Sequence, residues 1–164
     1  MNKLERAKQK VLNLNTAQLN KRISWSKRLY AYENSDWYLG EISTAEVGVW
    51  SRAGGLPASW TNRSLRETAH KVRLALEKNP KRLVKRARRA IPNILATNVN
   101  RLQKEKYLLP IIFKGNSGTR GRHRFKYRAK GDIDDGCMRS IALAVSGMKV
   151  IRAYIGFPKK RAVH

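Results

Sequence analysis

Residues 93–113 read NILATNVNRLQKEKYLLPIIF, and the spacing of their apolar side chains changes part-way through. Leu95, Val99 and Leu102, with Ile94 beside them, recur at the interval of one helix face. From Tyr107 to Phe113 the apolar residues run almost unbroken and favour β-branched and aromatic types, which suits a buried strand. Pro110 lacks an amide donor, so it predicts a sheet edge or a bulge. A helical half followed by a strand half indicates an α+β class rather than alternating βα units.

Upstream, Ser64-Leu65-Arg66-Glu67 is a capping box, and Leu65, Ala69, Val72 and Leu76 follow as an apolar stripe. They predict a helix over 64–79. Asn79 suits a cap and Pro80 a first helical position, so a second helix is expected over 80–90. Leu83, Val84, Ala87 and Ala90 give it a narrow buried edge, and Pro92 is expected to stop it. With a third helix over 93–105, residues 64–105 form a small helical group.

Residues 23–60 hold Trp25, Tyr30, Tyr32, Trp37, Tyr38, Trp50 and Trp60, punctuated by Gly48, Gly54, Gly55 and Pro57. They read as an aromatic-rich irregular layer over the core, with short strands or irregular segments around 36–42 and 46–51. A base-stacking role would need at least two exposed aromatics beside basic residues. At the N-terminus, Leu4, Ala7, Val11 and Leu14 share a helical face and predict a helical arm over 1–22.

Downstream, Gly115 to Gly121 reads as a turn. His123, Phe125 and Tyr127 then alternate with Arg124, Lys126 and Arg128, as in a strand with one inward and one basic outward face. A basic hairpin is thus expected over 114–130. Met138, Ile141, Ala142 and Val145 fit a helix over 134–146 with Gly147 at its stop, although a strand over 137–145 competes. Residues 148–155 close as a strand. The reading is one domain over 1–158, with a three-stranded β-rich unit at 107–157 and a flexible basic tail at 159–164.

The 36 Lys and Arg outnumber the 11 Asp and Glu, giving a formal charge of +25. A compact domain so charged repels itself, and a polyanion relieves the repulsion. No apolar run is long enough to span a membrane, and the charged N-terminus lacks the apolar core of a secretory signal. A membrane partner is therefore not expected, and the single Cys137 fits a reducing cytoplasm.

The charge is concentrated. From Lys71 to Lys130 there are nineteen Lys and Arg against two acids, Glu77 and Glu105. The expected phosphate contacts are Lys81, Arg82, Lys85, Arg86, Arg88 and Arg89 on the second helix. On the hairpin they are Lys114, Arg120, Arg122, Arg124, Lys126, Arg128 and Lys130. Together they indicate a protein that binds DNA or structured RNA, without a cofactor, as a regulatory or assembly factor of bacterial, phage or mobile-element type. A factor docked beside RNA or DNA on a polymerase or ribosome is the other binding alternative.

One acidic cluster interrupts the basic sequence: Asp132, Asp134 and Asp135. Helix capping is its simplest role, with Asp134 as the cap and Asp135 at the positive end of the helix dipole. The alternative is a Mg²⁺-dependent nuclease in which these carboxylates hold the cation. Asp132-Ile133-Asp134-Asp135, followed by Arg139, resembles the Asp-x-Asp-Asn motif of RusA-type Holliday-junction resolvases. The resemblance covers 132–147 alone. It departs from the family in having Asp135 for the Asn, an offset Arg139 for the Lys, and no downstream acidic pair. A metal-free alternative places His123 as acid and base among Arg120, Arg122 and Lys126, as in small toxin ribonucleases.

Overall fold

The computed structural model describes residues 32, 34–83, 85–96, 99–105, 108–114 and 130–159. Six strands form one mixed sheet: β1 (Ser35–Ser43), β2 (Val47–Val49), β3 (Arg63–Ser64), β4 (Ile111–Lys114), β5 (Gly131–Asp135) and β6 (Val150–Pro158). Their spatial order is β1-β6-β4-β5-β2-β3. Helices α1 (Leu65–Lys78), α2 (Lys85–Ala96), α3 (Val99–Lys104) and α4 (Cys137–Val145) complete the described elements. The class is α+β, as the change of period indicates.

The short strands expected around 36–42 and 46–51 form as β1 and β2. With β3 they merge with the C-terminal strands into one six-stranded sheet, in place of a separate layer and a three-stranded C-terminal unit. β1 runs antiparallel to β6, with Ser35 opposite Pro158 and Ser43 opposite Val150. β2 lies parallel to β5, with Gly48 opposite Asp132. These partners are far apart in sequence, so local periodicity carries no trace of them. β4 also lies inside the sheet, between β6 and β5. Pro110 sits just before its first residue, and the expected bulge follows at once: Ile111 faces Asp135 while Ile112 faces Ile133. Asp134 is the extra residue of that bulge.

Strand alternation divides the sheet's side chains between two clusters. Ile42, Val47, Val49, Ile112, Ile133, Ile151 and Ile155 are buried together with Leu65, Val72, Ala87, Ile91 and Ile141 of the helices. Their strand neighbours Trp37, Ile111, Phe113 and Tyr154 join Tyr32 and Leu109 in a second, aromatic cluster. There the Trp37 ring stacks on Tyr32 at 5.4 Å and meets Phe113 edge-on at 5.1 Å. Trp37 Nε1 donates to the Tyr32 carbonyl at 2.8 Å. Gly156 permits this packing, because a Cβ there would stand 2.8 Å from the indole.

The Ser64 half of the expected capping box forms at α1, while Glu67 meets the Ser64 hydroxyl. Ser64 Oγ accepts from the Glu67 amide at 3.1 Å and donates to Glu67 Oε1 at 3.0 Å. Such a cap contributes about 1 kcal/mol. Asn79, by contrast, makes no side-chain cap, and Pro80–Arg82 is a short 3-10 turn rather than the start of α2. Nor does Pro92 stop α2, which runs through it to Ala96. Pro92 has no amide to offer the Arg88 carbonyl, but Arg88 is exposed, so water can serve that acceptor. Buried Ile91, with Ile94 and Leu95 against the same core, holds the helix on either side of the proline.

The expected helix over 134–146 forms as α4, and the competing strand does not. The arm at 1–22, the turn at 115–121, the strand at 123–128 and the tail residues 160–164 lie outside the described residues. Among the described residues, no helix is long and apolar enough to cross a membrane.

Candidate nucleic-acid interface

The period of α2 separates its side chains by chemistry. Ala87 and Ile91 are fully buried, whereas Lys85, Arg86, Arg88 and Arg89 are exposed. Lys81 and Arg82 extend the exposed cations onto the preceding turn. Lys81, Lys85, Arg86, Arg88 and Arg89 enter no ion pair among the described residues. Arg82 lies over the Trp60 ring, 5.5 Å from its centroid. That cation–π contact fixes the direction of a cation that still reaches solvent.

The basic surface continues onto α1 through two residues absent from the sequence-based set. Lys71 and Lys78 line a cavity of about 230 Å³ with Trp60, Leu74, Ala75, Asn79 and Arg82. Two turns separate the lysines along α1, which places them on one helix face. That spacing was readable in the sequence. What hid it was the need to know that the 80–82 turn folds back beside the same face.

Several other cations are committed to the fold. Arg73 donates from Nε to the Val145 carbonyl at 3.1 Å and closes the C-terminal end of α4. Arg66 Nε bonds Thr44 Oγ1 at 3.2 Å, and Arg139 Nε bonds the Leu108 carbonyl at 2.9 Å. Arg63 and Arg101 pair with the glutamates four residues on, Glu67 and Glu105.

The two ends of the expected hairpin are described. Lys114 and Gly131 face each other across β4 and β5, so Lys114 and Lys130 stand at the same end of that pair. Lys130 Nζ is 3.0 Å from Glu46 Oε1, a semi-exposed ion pair. Arg120, Arg122, His123, Arg124, Lys126 and Arg128 lie outside the described residues.

The acids occupy a different position from the expected one. Asp132 and Asp134 are strand residues, 1% and 4% exposed, on the face that carries Phe113 and Tyr32. Tyr32 donates its hydroxyl to Asp134 Oδ2 at 2.6 Å. Asp134 is therefore not the cap of α4. That place belongs to Gly136, which has the left-handed backbone φ of 81° and makes no side-chain cap. Asp135 is partly exposed and lies 3.7 Å from Arg139. Nearby, the buried Tyr154 hydroxyl has no hydrogen-bond partner among the described residues. Burial pushes its phenol above the usual range, and the charge of Arg152 opposes this in smaller measure.

A Mg²⁺ site for phosphodiester cleavage needs carboxylates that a hydrated cation and a substrate can both reach. Among the described residues, no three side chains of His, Cys, Asp or Glu gather into a metal-binding group.

No protein-family model, curated protein or solved structure matches the chain.

Proposed function

We propose that this protein binds nucleic acid by gripping phosphates with the cationic surface of α2, the 80–82 turn and the adjoining Lys71 and Lys78 of α1. One observation carries the reading: Lys85, Arg86, Arg88 and Arg89 are exposed on one helix and meet no acid among the described residues. Neighbouring guanidiniums repel one another, and phosphate oxygens remove that repulsion through bidentate hydrogen bonds. Counterions released from the polyanion add entropy to the binding. Contacts of this kind set affinity and orientation without reading bases.

The nuclease reading has one feature in its favour. Asp132 and Asp134 lie on one sheet face instead of capping a helix, and their burial is a cost that a function can justify. A single experiment separates the two readings: incubation of the protein with labelled duplex DNA, branched DNA and structured RNA, in Mg²⁺ or in EDTA. The binding reading predicts retained complexes, uncut in both, that Arg86→Ala with Arg89→Ala weakens. Mg²⁺-dependent cleavage abolished by Asp134→Asn would replace it with the nuclease. Failure to bind any of the three would refute it.

A further inference from the structure

We infer that Tyr38 and Phe157, with Lys114, form a second contact on this protein, one that stacks an unpaired nucleobase. The inference rests on the nucleic-acid reading and deepens it, because phosphate contacts alone do not distinguish single strands from duplexes.

Among the described residues, Tyr38, Val150 and Phe157 are the large hydrophobic side chains left exposed, at 49%, 46% and 41%. Val150 is at the far end of β6, opposite Ser43, whereas Tyr38 and Phe157 touch. Their rings meet at 89° with centroids 5.3 Å apart. The contact is diagonal across β1 and β6, since Tyr38 faces Ile155 and Asp36 faces Phe157. The perpendicular contact covers part of the ring surface, and the exposure of both side chains shows that the rest still reaches solvent.

The surroundings are cationic. Lys114 Nζ lies over the Phe157 ring, 5.8 Å from its centroid. Lys159 stands beside the same strands, with its ammonium 3.8 Å from Asp36 Oδ1. An exposed aromatic pair rimmed by lysines matches the chemistry of a base with its phosphate. The base stacks on the ring while the phosphate meets the ammonium groups. An apolar protein partner would find these lysines unfavourable, and a duplex buries its base faces and offers nothing to stack.

The test uses the full chain and fluorescently labelled oligothymidylate, oligouridylate and a DNA duplex of equal length, with affinities read by anisotropy. Phe157→Ala should weaken single-strand binding about tenfold and leave duplex binding within about twofold. Phe157→Leu keeps apolar bulk without a π face, and should show the same selective loss with an unchanged melting temperature. Phe157→Tyr should restore affinity. A loss on oligothymidylate or on oligouridylate identifies DNA or RNA as the source of the base. Single-strand affinity unchanged in both Phe157→Ala and Phe157→Leu, or an equal loss on duplex, would overturn this inference and leave the phosphate-binding reading standing. Wild-type protein that binds none of the probes overturns both.

Discussion

Helix α2 and strand β5 treat charge in opposite ways. On α2 four cations point outward, and Ala87, Ile91 and their apolar neighbours pack the helix onto the core. On β5 two carboxylates point inward, and Asp134 accepts a hydrogen bond from Tyr32 beneath an aromatic cluster. An exposed charge costs the fold little and remains available to a partner. A buried charge is expensive unless it is bonded, so it acts on the fold first. The proposed function places recognition on the helix and leaves architecture to the strand, and substitutions can test that division from either side.

The largest effect should come from the helix. Replacing Lys85, Arg86, Arg88 and Arg89 together by Ala should lower affinity for nucleic acid on the order of a hundredfold at moderate salt. The melting temperature should change little, because exposed side chains outside special contacts contribute within about 0.5 kcal/mol each. Anisotropy and thermal unfolding of the same preparation would check both halves.

The strand should respond in reverse. Asp134→Ala removes the acceptor that Asp134 gives the buried Tyr32 hydroxyl and should destabilise the fold by about 2–3 kcal/mol. Asp134→Asn keeps an acceptor and should cost less. Chemical denaturation would read the difference, and either variant, where folded, should bind as tightly as the wild type. Weaker binding by folded Asp134→Asn would break the division.

The strands and helices were unequally legible in the sequence. α1 was visible in full because its cap, stripe and end are all local. The α4 helix was visible too, but its start was not. Asp residues are poor strand formers and unusual in a core, so the run at 132–135 read as a helix cap. Nothing nearby in sequence announces Tyr32 as the donor or Gly48 as the strand neighbour of Asp132. Pro92 misled for the opposite reason: the local rule was sound, and packing of Ile91, Ile94 and Leu95 overrode it. The six cations at 81–89 were correctly placed at the surface. Lys71 and Lys78 joined them only once the fold brought the 80–82 turn against α1.

A smaller effect sharpens the architectural side. Tyr154→Phe removes a buried hydroxyl that has no partner among the described residues, and should leave stability unchanged or raise it by up to about 1 kcal/mol. The raised phenol pKa gives a sign to the pH dependence. The unfolded phenol loses its proton near pH ~10, before the native one. The stability contributed by neutral Tyr154 is thus complete below that pH, and it is lost as pH rises toward the native value. Denaturation curves across alkaline pH should fall less steeply in Tyr154→Phe.

The smallest effect concerns Lys130. Its ion pair with Glu46 already engages it, so Lys130→Ala should reduce affinity less than Arg86→Ala in the same anisotropy assay. A larger loss would shift the interface toward the β4–β5 end and away from α2.

The central claim is that α2 holds phosphates, and the salt dependence of affinity tests it most directly. For wild-type protein, the logarithm of the association constant should fall linearly with the logarithm of salt concentration. In the Arg86→Ala, Arg89→Ala variant that slope should be shallower by about 2, one for each lost phosphate contact. An identical slope in the variant, or an affinity indifferent to salt, would contradict the account.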